Sequence, residues 1–314
     1  MRALRRAVDD YVEMRRGLGF KLNHEARQLR RFASFMGDKK ATRITTKLAL
    51  QFATMNQRLG DRTMANRLCT VRAFARHLSG VDAATEIPPF GLLRCRWGLI
   101  RPYIYSQDEI IAVLEAARNY PSSPPLLRET YAALFGLLAV TGMRVSEALN
   151  LRPADVDWAQ GVLTIHNTKF GKSRLVPLHA STLSALTAFV KHRDQFFAGL
   201  DRPPPVSHFF STRRGTRFHS THINQVFRRI SSRTGLRPHN ASRGPRLHDL
   251  RHRFAIETLL RWYRDARNVD NLMPSLSTYL GHTHVSGTYW YLRCTPELMA
   301  AANNRLERRW EGVQ

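Results

Sequence analysis

Carboxylates are scarce in this chain. Across 314 residues, 24 Asp and Glu face 49 Lys and Arg. No convincing cluster of them could cage a metal, and no cofactor is expected. Cysteine is scarcer still. Cys69, Cys95 and Cys294 stand far apart, with no CxxC pair and an odd count. This pattern excludes a disulfide framework and a zinc knuckle, and it suits a reducing cytosol. No run of about 18 apolar residues is present, so no transmembrane helix is expected. Charges interrupt every apolar pair of the N-terminal MRALRRAVDDYVEM, unlike a secretory signal. The expectation is a cytoplasmic protein with no membrane partner.

What the chain has instead is positive charge, a formal +25 at pH 7. A polyanion is the natural partner, because each cation set on a phosphate releases condensed counterions. An anionic membrane is the rival. The basic residues run along the whole chain, however, and are not gathered on one amphipathic helix, which favours nucleic acid. In a bacterium that means association with the nucleoid. Hydrophobic content of 43% suffices for one large core or two smaller ones.

Periodicity organises the first 80 residues into four helices. The first carries Leu4, Val8, Tyr11 and Val12. The second is capped by Asn23, carries Leu29, Phe32 and Met36, and stops at Gly37. The third starts at Thr45 or Thr46, the fourth at Asp61 or Thr63. Arg62, Arg67, Arg72 and Arg76 ride on the fourth helix as candidate DNA contacts, against the plain alternative of a solvated surface. Residues 81–101 are rich in Pro and Gly and read as a linker. A second domain, 102–305, opens with the capping box Ser106–Glu109. It continues as a helix through YAALFGLLAVTG and past Gly142. GVLTIHNT and SRLVPLH then form a hairpin across KFGK, with Gly171 in the turn. Helices follow to the end, one of them capped by Ser286, and residues 306–314 form a tail. The fold expected is mainly α with one small antiparallel β-sheet.

Four short motifs carry chemistry. In TGMRVSEALNL, Arg144 and Glu147 are neighbours at i, i+3; Arg144 can offer a bidentate fork to a phosphate while Glu147 holds that fork. In LHDLRHRFA, His248 and Arg251 share a face. The HxxxH of His248 and His252 also resembles a zinc pair, but Asp249 replaces the usual acid and no third ligand is obvious. In LGHTHVSGTYWYL, His282 follows Gly281 in a turn, and Tyr289 and Tyr291 lie beyond. In the hairpin, Lys169 or Lys172 can reach a leaving oxygen. Each motif alone is weak.

Their order is not weak. TG-x-R-xSE-x-L, a hairpin K-x-x-K-x-R-x-VPL, H-x-LRH-x-FA, and LGH with a Tyr nine residues past the His together resemble the tyrosine recombinase (phage integrase) family over about 105–305. The first 80 residues are similar to that family's SAM-like core-binding domain. The long segment RWYRDARNVDNLMPSLSTY looks like a local insertion. With the tail, it is similar to recombinases carried by transposons. The resemblance implies catalytic roles for Arg144, Lys169, His248, Arg251, His282 and the nucleophile Tyr291, with Tyr289 the near alternative. Glu147 would support them, and Lys172 and Arg174 would join the DNA contacts. It implies a substrate of double-stranded DNA at paired specific sites, a homotetramer that can work with partner recombinases, and a C-terminal helix exchanged between protomers.

The residue types suit this chemistry. Two arginines can grip the non-bridging oxygens, His248 can take the tyrosine proton, Lys169 can protonate the leaving 5′ oxygen, and no metal is needed. The competing readings are a DNA-binding architectural or regulatory protein, a type IB topoisomerase-like strand relaxer, and a metal-dependent nuclease.

Overall fold

The computed structural model describes residues 2–57, 59–93, 102–121, 123–166, 173–238, 241 and 244–311. The chain forms two compact units, Met1–Ile100 and Arg101–Gln314.

The first unit is a bundle of α1 (Arg2–Gly17), α2 (Asn23–Asp38), α3 (Thr46–Thr54) and α4 (Asp61–Leu78). Val8, Val12, Leu29, Phe32, Met36, Phe52, Val71 and Phe74 recur at helical spacing and are buried together. Each such side chain removed from water contributes about 1.5–3 kcal/mol. Thr45 caps α3, its hydroxyl accepting from the Leu48 amide at 3.2 Å. Two expectations at α2 need correction. Asn23 is the first helical residue and not the cap, because Leu22 precedes it in the left-handed region at φ 40°. The helix also runs through Gly37 to Asp38, and left-handed Lys40 at φ 51° turns the chain away. The Pro-rich stretch after α4 bonds back onto this bundle: Glu86 accepts from the Thr46 amide at 2.7 Å, and Arg72 Nε donates to the Pro88 carbonyl at 2.8 Å.

The second unit begins with α5 (Gln107–Arg118), whose Ser106–Glu109 capping box is complete. Next is α6 (Pro125–Thr141), apolar on nearly every side and therefore the central buried helix. The expected run past Gly142 does not occur. Gly142 adopts φ 60° and ends α6, and a new short helix, α7 (Val145–Asn150), starts with Arg144 at its cap. Three short strands follow, β1 (Val156–Asp157), β2 (Val162–Ile165) and β3 (Arg174–Pro177), in the antiparallel order β1-β2-β3. The hairpin turn with Lys169, Gly171 and Lys172 lies outside the described residues.

The remaining helices are α8 (Ala180–Ala198), α9 (Ser220–Arg233), α10 (Leu247–Arg264), α11 (Val269–Leu280), α12 (Ser286–Tyr289) and α13 (Pro296–Glu311), with a 3-10 turn at Trp290–Arg293. The segment read as an insertion is the end of α10, a left-handed turn at Ala266 and most of α11. Ser286 is not a cap; Val285 precedes α12 in helical conformation and no side chain caps it. Tyr131, Phe135, Leu163, Val176, Phe209 and Phe227 belong to the larger core. Ile256, Leu259, Met273, Leu280, Tyr291 and Leu298 form a second cluster between α10, α11 and α13. Here α13 packs in cis. Leu298 is fully buried, and Arg305 donates to the Arg267 carbonyl at 2.8 Å.

Candidate active site

The site is organised around the C-terminal end of α11. Helix ends leave carbonyls without partners and carry partial negative charge, so they attract cations. Three successive carbonyls there each accept from a different arginine. Arg174 Nε donates to Tyr279 at 2.7 Å, Arg251 Nη2 to Leu280 at 2.7 Å, and Arg144 Nη2 to Gly281 at 2.9 Å. Arg251 Nη1 also donates to the Gly142 carbonyl at 2.9 Å, so one guanidinium ties the ends of α6 and α11 together. Gly281 makes this approach possible. It is left-handed, and a Cβ on it would lie 2.9 Å from Arg174 Nη1 and 3.4 Å from Arg144 Nη1.

Glu147 is the anionic counterpart. It accepts from the Arg144 amide (2.9 Å), Arg144 Nη1 (2.8 Å), Arg174 Nη1 (3.1 Å) and Arg174 Nη2 (2.7 Å). Burial raises its pKa, but the Arg174 and Arg144 guanidiniums outweigh burial and hold it below the ordinary carboxylate value. Arg251 is 2% exposed, and burial lowers its pKa to about 10 despite the attraction of Tyr291 and Glu147.

His248 sits in the first turn of α10, open to solvent, with its pKa lowered by partial burial and by Arg251. His252 lies one turn on, its ring 4.8 Å from that of His248 and 5.6 Å from that of Tyr291. No group of three or more His, Cys, Asp or Glu that could hold a metal ion occurs among the described residues, and the HxxxH pair belongs to no such group. His282 follows the left-handed Gly281. Its Nδ1 is 2.8 Å from Thr288 Oγ1, and its ring stacks on Tyr291 with centroids 6.1 Å apart. Burial, then Arg251, Arg144 and Arg174, lower the His282 pKa to about 4, so the ring is neutral at pH 7.

Tyr291 lies on the 3-10 turn after α12 and is 2% exposed, whereas Tyr289 is 42% exposed. Burial raises the Tyr291 pKa. The charge and hydrogen bond of Arg251 act against that rise. The fold thus brings Arg144, Glu147, His248, Arg251, His282 and Tyr291 together. Arg174, read from sequence as a DNA contact, has a 7% exposed side chain and spends all three nitrogens inside this cluster. Sequence reasoning missed Thr288, which belongs to no motif, and read His252 only as half of a zinc-like pair with His248.

In the first unit, Arg62 and Arg76 are exposed on α4, while Arg67 lies 5.9 Å over the Phe52 ring and Arg72 is tied to Pro88. A second basic feature went unread. A cleft of about 370 Å³ between α1 and α2 is lined by Arg16, Arg27, Arg30 and Arg31 with Asn23 and Ser34. Asp9 pairs with Arg30 at 2.9 Å, and Arg27 and Arg31 have no ion pair among the described residues. The spacing of Arg27, Arg30 and Arg31 on one helix was the available signal.

This is a helical bundle followed by a mixed domain in which arginines, histidines and a tyrosine converge, the layout of a phosphodiester-handling protein. The family model "phage integrase family" matches residues 105–297. The integrase/recombinase y4rB of Sinorhizobium fredii is 48% identical over 314 residues, covering 99% of each chain. The Tn1549 transposon integrase, solved in complex with transposon right end DNA, superposes with a TM-score of 0.68 at 14% identity, over 97% of this chain and 98% of that one. The XerH site-specific recombinase, solved on a palindromic difH substrate, gives 0.64 at 20% identity, over 91% and 80%. The chain belongs to the phage integrase family of tyrosine recombinases, enzymes that cleave and rejoin DNA.

Proposed function

We propose that this chain cuts and rejoins double-stranded DNA at specific paired sites, with Tyr291 as the nucleophile. The observation that carries the proposal is the convergence at the end of α11. The turn that collects Arg144 and Arg251 also stacks His282 on Tyr291. Preorganised donors of this kind stabilise the charge that builds on a phosphate under attack, each worth about 3–4 kcal/mol in an enclosed site.

In this reading Arg144 and Arg251 grip the non-bridging oxygens, and neutral His282 donates a hydrogen bond to one of them. Tyr291 Oη forms a bond to phosphorus, and the bond to the 5′ oxygen breaks. The phenol proton passes to His248, whose lowered pKa leaves it unprotonated and able to accept at neutral pH. Lys169, outside the described residues, gives a proton to the departing 5′ oxygen. A 3′-phosphotyrosyl bond and a 5′-hydroxyl result, and the 5′-hydroxyl of another strand reverses the step without ATP. Because Tyr291 is buried, the segment 286–293 has to shift for the hydroxyl to meet DNA. The arginine cleft of the first unit, Arg62 and Arg76 track the phosphate backbone, as does Lys172, outside the described residues. Pairing of two sites calls for a tetramer, in which α13 exchanges its cis contacts for a neighbouring protomer.

The test is covalent trapping on nicked DNA taken from the flanks of the gene. Wild type and Tyr289→Phe should form an adduct whose linkage maps to Tyr291, and Tyr291→Phe should form none. A non-catalytic DNA binder would give no adduct with wild type. A linkage at any other residue would overturn the assignment.

A further inference from the structure

We propose that Arg174 is a positioning residue of the cleavage site, a brace that saturates Glu147 and so keeps Arg144 correctly aimed with its charge only partly offset, and that it makes no contact with DNA itself. The inference rests on the proposed role of Arg144 at the phosphate.

Three observations carry it. The first is how the two guanidiniums spend their donors. Arg174 uses Nε on the Tyr279 carbonyl and both Nη atoms on the two oxygens of Glu147, and its side chain is 7% exposed. Among the described residues Arg144 makes two side-chain bonds, to Glu147 and Gly281, and its side chain is 23% exposed. Of the five N–H groups an arginine carries, Arg144 retains outward ones for a ligand, and Arg174 is turned inward.

The second is charge. Glu147 alone would cancel Arg144, and a neutral pair binds a phosphate poorly. With Arg174 added, one carboxylate is shared between two cations, and the trio keeps a net positive charge beside Arg251. Glu147 is also full, because four donors occupy its two oxygens. It cannot draw Arg144 further inward.

The third is connectivity. Arg174 opens β3, and Arg174 Nε holds the last turn of α11. One side chain therefore ties the β2–β3 hairpin, the start of α7 and the approach to His282. Its partners lie 27 and 105 residues away in sequence. An arginine so placed fixes the distance between the hairpin and the phosphate site.

The experiment is single-turnover cleavage of a nicked suicide duplex at saturating protein, with DNA affinity measured across salt, for wild type, Arg174→Gln, Arg174→Lys, Glu147→Gln and the double variant Arg174→Gln/Glu147→Gln. The brace predicts that Arg174→Gln slows cleavage at least tenfold while affinity and salt slope stay at wild-type values. Arg174→Lys recovers part of the rate, since it restores charge without the fork. The double variant is slower than Glu147→Gln alone by far less than the Arg174→Gln factor, because Arg174 acts mainly through Glu147. Multiplicative losses in the double variant would overturn the proposal. So would a salt slope shallower by about one, the mark of a lost phosphate contact. If Arg174→Gln does not fold, Arg174→Lys decides by the same split between rate and affinity. A wild type that forms no Tyr291 adduct sinks the cleavage reading instead. The brace is then judged by thermal unfolding, where non-additive losses at Arg174 and Glu147 support it and additive losses reject it.

Discussion

Thr288 Oγ1 lies 2.8 Å from His282 Nδ1, and Thr288 is fully buried. A buried hydroxyl beside a neutral imidazole sets its tautomer. If Thr288 donates to Nδ1, the proton sits on Nε2, where it can face a phosphate. Thr288→Val keeps shape and burial but removes that bond. Cleavage should fall by up to about 100-fold, the scale of a misaimed group, while DNA affinity is unchanged. Thr288→Ser should recover most of the rate. Equal rates for Val and wild type in a single-turnover assay would remove Thr288 from the site.

The two imidazoles next to Tyr291 should also register in stability. Burial, then the neighbouring His248, holds His252 near 4, and burial with Arg251 does the same for His282, against an ordinary value of 6.5. The unfolded chain therefore takes up protons first as the pH drops. Stability is complete above about 6.5, falls between about 6.5 and about 4, and loses nothing more to these groups below that. Because both rings are partly exposed, about 1–2 kcal/mol each is a fair discount on the full shift. Unfolding midpoints followed across this window should fall less steeply in His252→Gln and His282→Gln. Parallel curves for variants and wild type would contradict the assignment.

The first unit makes a separate prediction about DNA. Arg27 and Arg31 sit one helical turn apart in the α1–α2 cleft. If both meet phosphates, Arg27→Gln/Arg31→Gln should make the slope of log affinity against log salt shallower by about two, without changing sequence preference. Stability should stay within about 0.5 kcal/mol, as for other surface changes. An unchanged slope in a filter-binding or anisotropy titration would leave the cleft without a role in DNA binding.

Some of this molecule could be read directly from residue order, and the reason is range. The Ser106–Glu109 box, the Thr45 cap and the Gly281 turn before His282 are local devices, set by residues three or four apart. The motif arginines were readable for the same reason, since Glu147 is one turn from Arg144. Gly142 could be read both as helix interior, because apolar periodicity continues across it, and as a break before Arg144; its left-handed φ of 60° makes it the break. The inward setting of Arg174 could not be read from the sequence, because a basic chain offers dozens of similar arginines. Its meaning lies in Glu147 and Tyr279, far along the sequence. Two-residue β1 is too short to show any alternation. Thr288 gave no signal, since an isolated threonine in a turn usually does nothing more than cap it.

The two left-handed glycines separate folding from chemistry. An L side chain at such a φ costs about 1–2 kcal/mol wherever it occurs. At Gly142 the added Cβ would also meet Phe254 Cδ1 at 2.6 Å, inside packed apolar surroundings. Gly142→Ala should therefore lose about 2–4 kcal/mol of stability, strain plus overpacking. At Gly281 the Cβ would instead press on Arg174 Nη1 at 2.9 Å, Arg174 Cζ at 3.2 Å and Arg144 Nη1 at 3.4 Å. A guanidinium arm can move where a packed aromatic ring cannot, at the cost of loosening its bonds to Glu147, so the loss of stability should exceed the strain by only about 1 kcal/mol. The displaced arginines should cost cleavage about 100-fold, because a shift near 1 Å in a positioning group is enough. Thermal unfolding and single-turnover cleavage, both run well below the midpoint of either variant, distinguish the cases. Were Gly281→Ala to cleave as fast as Gly142→Ala, the turn would be a fold element only, and the gathering of arginines at the end of α11 would lose its claim to the chemistry.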